Sequence, residues 1–237
     1  MKIIVTGATG FVGTEVLRQA IHHPSITSIV ALGRRSTPAP EPNSKFRALV
    51  CEDFSKYTDE IKTEFQTADA IIWLMAVTPS KAKALKWDDV RRICYDYTVT
   101  GLDTLSAVQR SGQPVRFVYA SGANAERDQS KKPWIMGDMC LLRGEVETKV
   151  LETAKQSNGV FESCVLKPGL ISGPGREGIL MSTTQMLLKA VAGVPNLEVR
   201  DMAATMLDLA VKGFEKDTFL NEEIIHIGQR ARGELNA

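Results

Sequence analysis

Three glycines spaced three residues apart, in Thr6-Gly7-Ala8-Thr9-Gly10-Phe11-Val12-Gly13, carry the strongest chemical signal in this sequence. They follow an apolar run, Lys2–Val5, and open a segment of helical periodicity from about Phe11 to Ile21. In that setting the first glycine permits a tight turn out of a strand. The second lets the backbone approach a pyrophosphate, and the third lets the helix pack closely on the sheet. A phosphate would then face a helix N-terminus, where free N–H groups and the helix dipole favour anions. The plainer alternative is a glycine-rich turn with no ligand, but a strand before and a helix after are the context a dinucleotide loop needs. The candidate contacts are Gly7, Thr9, Gly10, Phe11, Val12 and Gly13.

A second set of residues bears on which dinucleotide. NAD sites place an acid about 20 residues past the glycines, to hold the ribose hydroxyls. Here the second apolar run ends Ala31-Leu32-Gly33-Arg34-Arg35, with two guanidiniums and no carboxylate. Arginine grips phosphate through a planar fork of donors, so a 2′-phosphate, and hence NADP(H), is the expected guest. Two solvated surface arginines are the alternative. Asp53 and Phe54 follow the third run, where an adenine would lie. Asp53 is equally readable as an adenine acceptor or a turn residue.

These residues need a scaffold, and the pattern supplies one. Strand-length apolar runs at Lys2–Val5, Ser28–Leu32, Phe46–Val50, Ala70–Met75, Val115–Ala120 and Phe161–Leu166 alternate with helical stretches, including 87–110 and Met139–Lys155. Ile224–Ile227 reads as a possible seventh strand, and Ser36–Ser44 as a surface loop. Such alternation implies an α/β fold, a doubly wound parallel sheet of Rossmann type with six to seven strands and helices on both faces. No composition shift divides the chain, so residues 1–237 form a single expected domain, with a small substrate-side region at about 170–200.

Composition narrows the partners. The formal net charge is +1, which suggests neither nucleic acid nor membrane. Four cysteines without a CxxC pair and three histidines give no metal-site pattern. The N-terminal apolar run is too short for a signal segment or a membrane span. The expectation is a soluble cytoplasmic protein with reduced thiols, acting on a small molecule.

The chain resembles the atypical, extended-type short-chain dehydrogenase/reductases, and among them fungal NAD(P)-binding proteins related to the Tat-interacting-protein group. The resemblance runs through the glycine loop, Asp96-Tyr97-Thr98, Phe117-Val118-Tyr119-Ala120-Ser121-Gly122-Ala123, Arg143-Gly144-Glu145-Val146-Glu147, Lys167-Pro168-Gly169 and Val199-Arg200-Asp201-Met202-Ala203. It implies cofactor contacts from Ala76 and Val77 after the fourth strand, and from Pro168 and Leu170 flanking the nicotinamide. It also implies a homodimer, with the helices after the fourth and fifth strands pairing across a two-fold axis.

In that family a Tyr-x-x-x-Lys pair carries the proton chemistry and a serine orients the substrate oxygen. The serine corresponds to Ser121. The pair does not survive: Arg143 stands at the lysine position and Met139 at the tyrosine position. The family's fourth position falls on Thr98. Methionine donates no proton, and losing a positioned general acid costs about 10²–10⁴-fold in rate. Three readings follow. The first is an NADP(H)-dependent enzyme acting on a small carbonyl or alcohol. The second is a non-redox isomerase, cyclase or dehydratase of the same fold. The third is a non-catalytic NADPH sensor. The intact cofactor loop, Ser121 and Lys167-Pro168-Gly169 place an enzyme first.

Overall fold

A computed structural model describes residues 1–108, 112–174 and 196–236. Seven strands form one all-parallel sheet: β1 (Lys2–Thr6), β2 (Ser28–Gly33), β3 (Phe46–Val50), β4 (Ala70–Trp73), β5 (Val115–Ala120), β6 (Phe161–Lys167) and β9 (Thr218–Leu220), in the order β3-β2-β1-β4-β5-β6-β9. A separate two-stranded pair joins β7 (Ile171–Ser172) to β8 (Leu197–Glu198). The expected doubly wound fold is therefore present. The order reverses between β1 and β4, and such a switch point opens a crevice at the carboxyl ends of the strands.

The pleat explains the two cores. Along β1, Ile3 and Val5 face one layer and Ile4 the other. Ile3 and Val5 meet α1 (Phe11–His22), α7 (Val199–Lys212) and α8 (Asn221–Asn236). Ile4 meets α2 (Asp59–Thr67), α5 (Tyr97–Ala107) and α6 (Gly137–Gln156). With both faces covered, the central strands read as unbroken apolar runs.

The helix expected from residue 87 is α4 (Trp87–Arg91), a π-helical turn at Arg92–Asp96, and α5; Arg110 lies outside the described residues. A short α3 (Pro79–Ala82) precedes it. Ile224–Ile227 is helical, not a strand. Asn221, Ile224, Gly228 and Ala231 are buried at helical spacing, and Glu223 accepts a hydrogen bond from the Leu220 N–H at the helix start. A short apolar run fits either period, and here the cap decides. The seventh strand is β9, just upstream. Of the expected substrate-side region, 175–195 lies outside the described residues.

Candidate functional site

The glycine loop joins β1 to α1 at the switch point. Gly7 has φ +65°, and a Cβ there would come within 2.7 Å of the Leu74 carbonyl oxygen. A Cβ on Gly13 would overlap the carbonyl of Gly7. The Gly10 N–H donates to the Gly7 carbonyl at 2.9 Å, closing the turn. Gly10 caps α1 and, having no side chain, makes no side-chain cap bond to the first turn. Thr9 and Gly10 are exposed there, Phe11 and Val12 half-buried. A cleft of about 430 Å³ opens beside them, bounded by Pro174, Val199 and Arg200. This cradle fits a pyrophosphate.

The carboxyl end of β2 holds Arg34 and Arg35, where the sequence leads us to expect a 2′-phosphate. Arg34 and Arg35 are exposed, and neither side chain has a partner among the described residues. Beside them Thr37 is 5% exposed, and its hydroxyl has no hydrogen-bond partner. A buried hydroxyl without a partner among the described residues, next to two exposed guanidiniums, suits a phosphate ligand. Sequence reasoning missed Thr37, because a threonine in a Pro/Ser-rich loop carries no signal of burial. Asp53 accepts from the Ser55 N–H at 3.0 Å, a turn geometry, and that bond holds its carboxyl below the usual range. Phe54 does not reach the cleft. It is fully buried among Tyr57, Trp73 and Tyr97, at centroid distances of 5.9, 6.3 and 5.9 Å, so the expected adenine contact is a core residue.

At the end of β5, Ser121 donates its hydroxyl to Glu147 on α6 at 2.5 Å. Glu147 is 0% exposed and also accepts from Arg127 at 2.7 Å and Lys167 at 3.2 Å. Lys167 in turn donates to the Ala125 carbonyl, and Arg127 to Thr218. The loop after Ser121 lies directly on α6: a Cβ on Gly144 would overlap the carbonyl of Glu126. The role of Glu147 was not apparent in the sequence; its place one turn from Arg143, on the same face, is the only signal.

Met139 and Arg143 sit on α6. Met139 is 8% exposed and packs with Val77, Val90, Cys94 and Leu142. Arg143 reaches across the carboxyl ends of β4 and β5. One guanidinium nitrogen donates to the Val77 carbonyl at 3.4 Å, and another would stand 3.1 Å from a Cβ on Gly122. The Val77 N–H donates to Cys94 Sγ, so both backbone polar groups of Val77 are held; Ala76 beside it is half-buried. Thr98 is withdrawn from the site. Its buried hydroxyl accepts from Trp73 Nε1 at 3.0 Å and donates to the Cys94 carbonyl, next to the π turn. It anchors helix to sheet and does not meet substrate. Tyr119 is buried in β5, which pushes its hydroxyl pKa up, and Tyr97 is buried against Phe54. The Pro168 carbonyl accepts from Ala123, and Leu170 is exposed beyond it.

Among the described residues no His, Cys, Asp and Glu cluster that could hold a metal occurs, and no helix is long and apolar enough to cross a membrane.

Residues 3–134 match the NAD dependent epimerase/dehydratase family. A curated relative, "Protein FMP52, mitochondrial" of Candida albicans, is 25% identical over 236 residues, 96% of this chain and 95% of its own. That name overturns the expectation of a cytoplasmic protein, which rested on a short N-terminal apolar run and unpaired cysteines. Among solved structures, dTDP-glucose 4,6-dehydratase of Streptomyces venezuelae with NAD bound gives a TM-score of 0.69 at 14% identity, covering 98% of this chain and 81% of its own. UDP-glucuronic acid 4-epimerase of Bacillus cereus, with UDP-glucuronic acid and NAD, gives 0.65 at 18%, covering 98% and 83%. Both share the fold. The chain belongs to the NAD dependent epimerase/dehydratase family.

Proposed function

We propose that this protein is an NADP(H)-dependent enzyme acting on a small carbonyl or alcohol substrate, in which a guanidinium takes over from the missing phenol. The observation that carries this reading is Arg143. Its head lies across the ends of β4 and β5, and among the described residues it makes one long hydrogen bond at 3.4 Å. Its other N–H donors remain to hold an oxygen on which negative charge builds. When bound, the reduced dinucleotide supplies the hydride. Arginine keeps its own proton at working pH, so the oxygen takes its proton from water. Val77 and Met139 line an apolar wall beside that position. Arg34, Arg35 and the Thr37 hydroxyl receive the 2′-phosphate, and the cradle of Gly7, Gly10 and Gly13 receives the pyrophosphate. The Candida relative's name supports a mitochondrial location. The family resemblance implies a homodimer through α5 and α6, which light scattering checks.

The test is NADPH oxidation over a panel of small ketones and aldehydes. Arg143→Gln should lower kcat by about 10²-fold, in the range for removing one oxyanion donor. NADPH affinity measured by calorimetry should change only a few-fold. Equal rates in both proteins would refute the role of Arg143. A second reading, a non-catalytic NADPH sensor, is favoured by one observation: the tyrosine position is occupied by Met139, packed against Val90 and Cys94. NADPH binding without turnover on any carbonyl tested would select it.

A further inference from the structure

Two exposed segments that follow β4 and β5 carry large apolar side chains, and the first of them also carries lysines. From α3 to the start of α4, Lys81, Lys83, Leu85, Lys86 and Trp87 are all exposed. The stretch from Pro79 to Trp87 holds three lysines and no acid, in a chain whose net charge is only +1. None of the three ammonium groups has a partner among the described residues. Just before α6, Trp134 is 98% exposed, followed by Ile135 at 54% and Met136 at 46%. Met136 has φ 53°, a left-handed conformation that non-glycine residues adopt at a cost.

One small core brings the segments together. Val77, Val90, Cys94, Met139 and Leu142 cluster, with Ala82 packed against them. Leu85–Trp87 spans the gap between Ala82 and Val90, and Trp134–Met136 ends three residues before Met139. The segments follow β4 and β5, adjacent strands in the sheet, so both rise from its carboxyl edge.

We propose that this rim docks the protein on an anionic lipid surface, with Trp87, Trp134 and Ile135 entering the interface and Lys81, Lys83 and Lys86 meeting the headgroups. Tryptophan partitions to the lipid–water boundary, and lysine keeps its charge in the headgroups while its stem follows the apolar side chains. Peripheral anchoring combines buried apolar area with attraction to anionic lipid, and both halves are present here. A tryptophan exposed on nearly every side is a projection, not the floor of a pocket that a protein side chain would fill. The surface departs from the expectation of no membrane partner because the near-zero net charge averages the three lysines away.

The test uses the full chain with vesicles of phosphatidylcholine alone or mixed with phosphatidylglycerol. The protein should sediment with the mixed vesicles only, and salt should weaken the binding. Tryptophan emission should shift to the blue on binding. Trp134→Ser should remove part of that shift and Trp87→Ser with Trp134→Ser nearly all of it, since the third tryptophan, Trp73, is already fully buried. Lys81→Glu, Lys83→Glu and Lys86→Glu together should lower partitioning on the order of 100-fold, about fivefold per lysine. All of these positions are exposed, and circular dichroism checks the fold of each variant. No binding to the mixed vesicles, or binding indifferent to both sets of changes, overturns the proposal. So does a dimer that Trp134→Ser converts to monomer, which would make the rim a contact between copies.

Discussion

Ser121 gives its hydroxyl proton to Glu147, a carboxylate with no solvent exposure, which also receives Arg127 and Lys167. The donor is thus committed inward, and what Ser121 can offer a ligand is its oxygen lone pairs. A serine so held accepts from a hydroxyl more readily than it donates to a carbonyl. The same cluster ties together β5, β6, α6 and the loop after Ser121.

Removing Glu147 should therefore cost stability before it costs chemistry. Glu147→Ala leaves Arg127 and Lys167 facing each other without an anion. Breaking a buried pair costs about 3–5 kcal/mol. Arg127 is about one-third exposed, so the lower end applies. At about 2–4 °C per kcal/mol for a chain of this size, Tm should fall by roughly 6–12 °C. Ser121→Ala, which removes one bond to a charged acceptor, should cost about 1.5–3 kcal/mol. Thermal melts of the three proteins check both values. A Glu147→Ala melt matching the wild type would show that the cluster contributes nothing.

The thiols should be inert in the native protein. All four are buried. Burial, aided by the Asp53 charge, pushes the Cys51 thiol from its ordinary 9.0 to about 11, and burial also raises Cys94, Cys140 and Cys164. At pH 8 a chromogenic disulfide reagent should label the folded protein slowly and release four thiols in denaturant. The linkage sign follows. The folded state keeps protons that the unfolded state gives up first, so stability is full below about pH 9 and falls as pH rises towards 11. Denaturant midpoints at pH 8 and pH 10.5 measure it; an equal or higher midpoint at pH 10.5 contradicts it.

The central strands and the glycine loop were legible because local and global demands agree there. Lys2–Val5 reads as a buried strand because the glycine turn follows it at once, and Gly7 and Gly13 sit where a Cβ would strike backbone. The misreadings lie where a short segment admits two solutions. Ile224–Ile227 suits strand or helix until the Glu223 cap is seen. Phe54 lies at the right distance along the chain for adenine, yet burial among three aromatic rings decides its place. Thr98 shares a helix with the site, but Trp73 claims its hydroxyl. Glu147 and Lys167 meet only because α6 lies across β6, a tertiary fact that no spacing encodes.

Cofactor choice should follow Arg34 and Arg35. Neither side chain has a partner among the described residues, and the Thr37 hydroxyl beside them has none there either. NADPH should bind at least about tenfold more tightly than NADH, the effect of roughly one charge-assisted contact to phosphate. Arg34→Glu should erase or reverse that preference, by repelling the 2′-phosphate and offering the ribose hydroxyls an acceptor. Isothermal calorimetry of both nucleotides against both proteins decides, and equal wild-type affinities would refute the assignment.

Met139→Tyr puts the proposed mechanism to its hardest test, because it restores a phenol where the family has one. Wild-type turnover should be slow, since Arg143 stabilises charge but supplies no proton. The variant adds a proton donor and should raise kcat, by no more than about 10⁴-fold, the upper end for one general acid. Packing sets a cost. Met139 is 8% exposed against Val77, Val90, Cys94 and Leu142, and a larger side chain in a filled cluster costs about 1–3 kcal/mol. Tm should therefore fall even as activity rises, a combination that a purely stabilising change would not give. Arg143→Lys in the same chain exchanges the wide planar head for a compact ammonium beside Gly122, and should increase the gain further. Met139→Leu, which brings no hydroxyl, should leave turnover near the wild-type value. Steady-state NADPH oxidation on one responsive carbonyl, with cofactor binding confirmed in each variant, measures all four proteins. If the double variant binds NADPH and gains no turnover, the cleft is not arranged for carbonyl reduction, and the non-redox and sensor readings replace it.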